Sequence, residues 1–337
     1  MIRPRCIRLE AMTGCQLRCP SCPTAEGEIR RHLGTGYLRY SDFETLVDAN
    51  PWVSHIELSN YGEIFLNPEL TSIIHHAYKR NVNLSAANGV NLNTANSDKL
   101  EALVKYRFQS VHCSIDGATP EIYSIYRRGG DFETVIENIR RINDFKKKYR
   151  SNVPKLKWQF VIFRHNEHEI SAARDMAGRL GMEFYTKPTW GDFYGDAFSP
   201  LCDQELVRRE SGLEVTSTEE CRNKYGIEYI SNFCRQLWWL PQINYDGRIL
   251  GCCINYWGDL GNAFIEGLFQ GINNERMNYA REMVRGRTPP REDIPCSTCR
   301  FYEAMKADRS WVTIGNIPQH GRIARFKNMF ENKILRL

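Results

Sequence analysis

Over the first 190 residues, short apolar, β-branched runs alternate with longer stretches whose apolar positions recur at helical spacing. The short runs predict strands at Cys6–Met12, His55–Leu58, Val82–Ala86, Ser110–Ile115, Leu156–Phe163 and Glu183–Lys187. Helix starts between them are marked by residues able to cap free backbone N–H groups. These are Ser41 with Glu44 as a capping box, Asn67–Pro68, Thr119–Pro120, and Asp131 ahead of the Val135, Ile136, Ile139, Ile142 stripe. Asn166 with Glu169 suggests a further cap, before a helix ending near Leu180 and Gly181. Six strand–helix units in series predict an α/β chain with parallel strands and right-handed crossovers: a partial (β/α)6 TIM-like barrel.

The rhythm breaks at the Gly-, Pro- and aromatic-rich stretch that begins at Thr189. Beyond it, Asp246–Gly247 between two apolar runs predicts a β-hairpin, followed by a helix around Asn274–Val284 and the sequence PCSTC. The expected organisation is a barrel over 1–200 and a small hairpin-and-helix domain around cysteines over 201–310. Residues 311–337 form a C-terminal basic amphipathic helix with Ile323, Phe326, Phe330 and Ile334 on one stripe. That stripe suits packing against its own domain, a membrane surface or a partner.

Composition narrows the class. With 42% hydrophobic and 25% charged residues among 337, global disorder is excluded. No stretch approaches the ~20 apolar residues of a membrane span, and the N-terminus lacks the pattern of a signal peptide, so the expected location is the cytoplasm. The net charge of +5 comes from both signs spread along the chain and does not point to nucleic acid. Cysteine changes the picture: there are twelve. In a reducing compartment, thiols gathered at short spacings read as metal ligands or catalytic groups rather than disulfides.

Cys15, Cys19 and Cys22 form C-x3-C-x2-C directly after the first strand. Thiolates suit zinc or iron–sulfur clusters. A zinc site would close with a fourth ligand, for which His32 is the local candidate. Three ligands with no fourth leave one metal position open to something other than protein.

This motif, at the end of the first strand of a repeated strand–helix chain, resembles the radical S-adenosylmethionine (radical SAM) superfamily. The resemblance implies a [4Fe–4S] cluster on the three cysteines, whose open iron binds the amino and carboxylate groups of SAM. It further implies cleavage of SAM to a 5′-deoxyadenosyl radical that abstracts hydrogen from a substrate. An external electron donor such as flavodoxin or ferredoxin is then required. Ser21 stands where the family often has an aromatic residue. Asn60–Tyr61–Gly62–Glu63 is similar to the family's Gly-Gly-Glu, with Gly62 allowing close backbone approach and Glu63 facing the SAM ammonium. The resemblance also implies SAM contacts from Ser114 and Asp116, from Arg127 (with Arg128 as competitor) toward the carboxylate, and from Asn88 and Asn166. Asn166 is equally readable as a helix cap.

Cys234, Gly247 and Cys252 stand at C-x12-G-x4-C, and Cys296 and Cys299 follow as C-x2-C. On spacing alone, four thiolates suit either a [4Fe–4S] cluster or zinc. The pattern resembles the SPASM and twitch domains attached to radical SAM enzymes. It is closest to the shorter twitch form with one auxiliary [4Fe–4S] cluster, the layout of the radical SAM dehydrogenase of aminocyclitol antibiotic biosynthesis. The glycine-rich C-terminus of molybdenum-cofactor cyclases is missing. Cys253, beside a ligand and alternating away from it, is a candidate hydrogen-atom donor or alternative ligand. For it and for Cys6, Cys113, Cys202 and Cys221, a small buried hydrophobe is the default.

Three outcomes fit this layout: oxidation of an alcohol, epimerisation by hydrogen return from a thiol, and peptide modification. The first cluster cysteine comes 14 residues after the start, an expectation against a leader-binding domain. The expected substrate is a small polar molecule of sugar or aminocyclitol type. Lys187, Asp192 and Tyr194 are candidate catalytic residues at the barrel mouth, accompanied by Trp190, Trp238 and Trp239. A non-enzymatic zinc or iron–sulfur scaffold is the alternative of another class.

Overall fold

Alternation along the strands divides the central sheet into two chemically different faces. The computed structural model describes residues 1–188, 202–211, 223 and 231–313. Trp190, Asp192, Tyr194, Cys221 and the expected C-terminal amphipathic helix lie outside the described residues. The barrel half runs β1 (Cys6–Leu9), α1 (Glu28–Leu33), α2 (Tyr40–Ala49), β2 (His55–Glu57), α3 (Leu70–Lys79), β3 (Asn83–Val90), α4 (Ser97–Lys105) and β4 (Ser110–Ser114). It continues through α5 (Pro120–Tyr126), α6 (Phe132–Lys148), β5 (Lys155–Ile162), α7 (Ile170–Arg179) and β6 (Glu183–Pro188). After α8 (Gln204–Ser211) come α9 (Ser231–Cys234), α10 (Gln236–Trp239), β7 (Gln242–Ile243), β8 (Ile249–Gly251), α11 (Leu268–Gly271), α12 (Glu275–Val284) and α13 (Arg300–Asp308).

The strand order is β6-β5-β4-β3-β2-β1-β7-β8. Neighbours pair in parallel from β6 through β7, and β8 returns antiparallel. The six strands expected from the pattern are the parallel set β1–β6, forming an open, partial barrel. The hairpin is where Asp246–Gly247 placed it, with Gly247 at φ 87°, a backbone conformation that favours glycine. This hairpin adds directly to the edge of β1, so the sheet is continuous into the second cysteine region.

One face of the sheet is apolar. Ile7, Leu9, Ile56, Val111, Trp158 and Phe160 are fully buried in a core shared with Ile73, Leu103 and Ile139 of the helices. Burying each such side chain contributes ~1.5–3 kcal/mol, so this face holds the helices on. The opposite face is polar: His55 bonds Ser85 at 2.8 Å, and His112 bonds the Tyr185 hydroxyl at 2.9 Å, which itself donates to Gln159 at 2.7 Å. Partnered polar groups on the concave face leave the barrel lumen suited to a ligand rather than to a packed core.

Thr119 and Asp131 cap α5 and α6 as expected, accepting from Ile122 N at 3.4 Å and Thr134 N at 2.6 Å. Two expected caps do not form. α2 starts at Tyr40, whose N–H is taken by the Glu69 carboxylate, while Glu44 accepts from the Tyr40 hydroxyl at 2.6 Å. A long-range partner thus replaces the local Ser41 box. Asn166 turns inward instead of capping, and Glu169 accepts from Ala118 N at 2.6 Å and Thr119 Oγ1 at 2.8 Å. No described helix is long and apolar enough to cross a membrane.

Candidate functional site

The loop leaving β1 carries the first cysteine centre. Cys15, Cys19 and Cys22 share one small cluster with Leu17, Tyr126, Val161 and Phe163. Polar hydrogens are directed at two of the sulfurs. Leu17 N and Asn91 Nδ2 approach Cys15 Sγ at 3.4 and 3.7 Å, and Arg127 Nη1 approaches Cys19 Sγ at 3.8 Å. Burial pushes the Cys15 thiol up to about 12, so loading a metal must displace its proton. Soft donors in apolar surroundings, with N–H groups facing sulfur, fit a thiolate-held iron–sulfur cluster.

The loop after β2 packs against this cysteine loop, backbone on backbone. A Cβ on Gly62 would sit 2.1 Å from the Met12 carbonyl oxygen, and Glu63 N donates to the Gly14 carbonyl at 2.9 Å. Glycine is demanded there by the approach of two main chains. The buried Glu63 carboxylate accepts from Phe65 N at 3.2 Å and Asn91 N at 2.6 Å, and burial raises it to about 7. Asn88 donates to the Asn60 side chain at 3.1 Å and main-chain carbonyl at 3.0 Å. Ser114 accepts from Gln159 at 3.4 Å.

Asp116 is fully buried and pairs with Arg127 at 2.6 Å, while its other oxygen accepts from Val161 N at 2.7 Å. Arg127 therefore stands between Asp116 and Cys19, whereas its neighbour Arg128 is exposed. The Asn166 amide bonds the Asp116 and Val161 carbonyls at 3.1 and 3.0 Å and accepts from Phe163 N at 2.7 Å, bracing the loop that carries Asp116.

Glu10, which no motif singled out, lies buried just past the end of β1 and accepts from Tyr61 N at 3.1 Å and Gly62 N at 3.2 Å. Burial raises its pKa to about 8 despite these N–H groups. The folded chain consequently holds this proton over a range where the unfolded chain has released it. Its contribution to stability is complete below about 4.5, the unfolded carboxyl value, and is lost as pH rises through about 8. In guanidinium unfolding between pH 5 and 8.5, Glu10→Gln is expected to flatten the wild-type decline by a few kcal/mol, about 1.4 per pKa unit. A decline of equal steepness in both proteins would show that the carboxyl ionises freely.

The second centre is assembled from four separate elements. Cys234 ends α9, Cys252 follows β8, Cys296 lies in the turn Pro295–Thr298, and Cys299 stands directly before α13. All four line one cavity with Leu237, Leu250, Asn255, Trp257, Val284 and Tyr302. Trp257 Nε1 donates to the Pro295 carbonyl at 3.0 Å and fixes the PCSTC turn. Burial raises the Cys299 thiol, opposed by N–H groups of Tyr302 and Phe301 at the start of α13. Among the described residues, no three His, Cys, Asp or Glu side chains converge to hold a single metal ion. Four thiols around a shared cavity fit a multi-iron cluster.

Tyr61, which stands where the resembled motif has glycine, ties the two centres together. Its hydroxyl donates to the carbonyls of Cys253 at 3.1 Å and Asn255 at 2.8 Å, and Asn60 Nδ2 also donates to the Cys253 carbonyl at 3.1 Å. Gln236 holds Cys253 from the other side, accepting from its N–H at 2.8 Å and donating to its sulfur at 3.4 Å. Cys253 is half-buried and is absent from the residues lining the four-cysteine cavity. Lys187 ends β6 on the lumen side, where burial lowers it to about 8 and its electrostatic neighbours are Arg8, Asp116, Cys253 and Arg127. Trp238 and Trp239 are half-buried on α10, with Trp238 packed on the core. Cys6 and Cys113 are buried as expected, whereas Cys202 is exposed because its segment lies outside the sheet and its helices.

Residues 9–157 match the family model of the radical SAM superfamily. No curated protein matches the chain. Among solved structures, Streptococcus suis SuiB bound to S-adenosylmethionine is similar at a TM-score of 0.62 and 13% identity, over 89% of this chain and 71% of that one. The enzyme anSMEcpe with bound AdoMet gives 0.57 at 14% identity, over 88% and 86%. BtrN in complex with AdoMet and 2-DOIA gives 0.50 at 14% identity, over 89% and 94%. At these identities the likeness is one of fold.

Proposed function

We propose that this chain, built on a radical SAM domain, is an enzyme that removes a hydrogen atom from a small polar substrate and returns one through Cys253, an epimerisation. The division is a catalytic barrel over 1–200 and an auxiliary-cluster domain over 201–310. Cys15, Cys19 and Cys22 hold the SAM-binding [4Fe–4S] cluster, and Cys234, Cys252, Cys296 and Cys299 hold an auxiliary one. When bound, the first cluster and SAM supply the carbon radical that abstracts hydrogen.

The chain's own residues do the rest. Arg127 meets the SAM carboxylate, its guanidinium aligned by Asp116. Gly62 and Glu63 place the loop against the SAM amino group, with Asn88, Ser114 and Asn166 shaping the walls around SAM. The observation that carries the reading is the position of Cys253. It lies next to a cluster ligand, outside the cluster cavity, and among the electrostatic neighbours of Lys187 at the lumen. A thiol there can give its hydrogen atom to the substrate radical. The thiyl left on Cys253 then takes one electron and one proton, the electron coming from an external donor of the flavodoxin or ferredoxin type. Oxidation to a carbonyl is the competing outcome, favoured if the substrate radical loses an electron before hydrogen returns.

The test is anaerobic reconstitution of the full chain followed by turnover in deuterated water. About two cubane clusters per chain and SAM cleavage under reductant are expected, with deuterium appearing at a substrate carbon once a substrate is found. Uptake of zinc alone, with no SAM cleavage, would support the scaffold reading, and a carbonyl product without deuterium would replace epimerisation by oxidation.

A further inference from the structure

We propose that Arg8 and Lys187 form an anion seat in the barrel lumen, so that the substrate carries a phosphate or carboxylate group. The inference deepens the proposed function, because it rests on the lumen being the substrate site. Arg8 is the middle of β1, pairing with Glu57 on one side and Gln242 on the other. Its neighbours Ile7 and Leu9 are fully buried in the helix-side core, so alternation turns Arg8 to the polar face. There its Nη1 donates to Asn60 Oδ1 at 3.2 Å, while its Nε is buried with no hydrogen-bond partner. A buried, unpaired guanidinium N–H is costly unless something accepts from it.

Lys187 shares the side of Tyr185 on β6, whose hydroxyl joins the lumen network. Among the described residues no carboxylate lies within ion-pair distance of Lys187 or Arg8. The nearby Asp116 is committed to Arg127 and Val161 N. Two cations are thus brought to the lumen from strands at the two sides of the half-barrel, and the carboxylates on Arg8's own face are engaged elsewhere: Glu57 accepts from Ser59, Ser85 and Ala87 N, and Glu10, which Arg8 also influences, accepts from Tyr61 N and Gly62 N.

The seat also has a defined place in the site. Asn60 accepts from Arg8 and donates to the Cys253 carbonyl, so a group held at Arg8 lies one side chain from the proposed hydrogen donor. An acidic group there anchors the substrate at its inert end and leaves its carbon skeleton between Cys253 and the first cysteine centre. Guanidinium and ammonium together suit a phosphate or a carboxylate, one by a two-pronged fork and the other as a point charge.

The test uses the reconstituted full chain and needs no turnover. Lys187 is reductively methylated with formaldehyde and a borane, and its labelling rate is followed by peptide mass spectrometry. Inorganic phosphate and acetate are added in separate arms, against chloride at equal ionic strength. At least fivefold slowing by phosphate is expected, with acetate slowing as well if the group is a carboxylate. Arg8→Gln should remove this protection, and Arg8→Lys should restore part of it. Equal slowing by chloride, or none by either anion, overturns the proposal. So does full protection by SAM alone with nothing added by anions, which would assign the pair to the SAM carboxylate. Anion protection in a chain that fails to cleave SAM would retain the seat and reject the proposed function.

Discussion

Replacing Cys22 by alanine is expected to lower reductive SAM cleavage at least about a thousandfold, equivalent to about 4 kcal/mol of barrier. The loop from β1 offers three sulfurs in one small apolar cluster, so losing one removes a third of the ligands that this loop supplies. Iron content should fall by about half, because the second centre draws its cysteines from other elements and stays loaded. The fold should persist: Cys22 is only half-buried and lies outside the main core. Iron analysis and quantification of 5′-deoxyadenosine check both parts. Retention of cleavage within tenfold would mean that Cys22 is not a ligand.

The second large effect separates two adjacent cysteines. Cys252→Ala should remove the auxiliary cluster, halving iron while leaving SAM cleavage measurable. Cys253→Ala should keep iron at the wild-type level. The latter variant should still cleave SAM but convert substrate at least tenfold more slowly, without deuterium from solvent. The reason lies in how Cys253 is held. Its carbonyl is fixed by Asn60 and Tyr61, its N–H and sulfur by Gln236, and it does not line the cluster cavity. Loss of iron from Cys253→Ala comparable to that from Cys252→Ala would make it a ligand and remove it as hydrogen donor.

Much of this site was legible in the chain because its chemistry is local. C-x3-C-x2-C lies on one loop, so its spacing carried the metal-ligand reading, whereas Asp116 and Arg127 came from the family resemblance and their ion pair is seen only in the structure. The Thr119 and Asp131 caps were legible for the same reason, since a side chain there meets an N–H three residues on. Ser41–Glu44 had the same spacing and did not form a cap, because Glu69, distant in sequence, reached the N–H first. Asn166 was readable as a cap or a SAM contact; its side chain does not cap, and its amide bonds the Asp116 loop and its own turn. Glu10, Gln236 and Arg8 carried no motif, and Asn60 and Tyr61 were read only as part of the Gly62–Glu63 loop, since each of the five acts through a partner outside its own segment.

The sequence by itself determined the six-strand parallel rhythm, the hairpin at Asp246–Gly247 and the two sets of cysteines. These follow from periodicity, turn chemistry and ligand spacing, all short-range properties. The tertiary structure decided that β7 adds to β1 and extends one sheet into the second cysteine region. It also gathered Cys234, Cys252, Cys296 and Cys299 around one cavity and joined the two centres through Tyr61 and Cys253. Arg8 and Lys187 meet the same lumen only because parallel strands bring residues some 180 positions apart onto one face. Contacts between distant segments depend on how the whole sheet curves, and no local pattern encodes that.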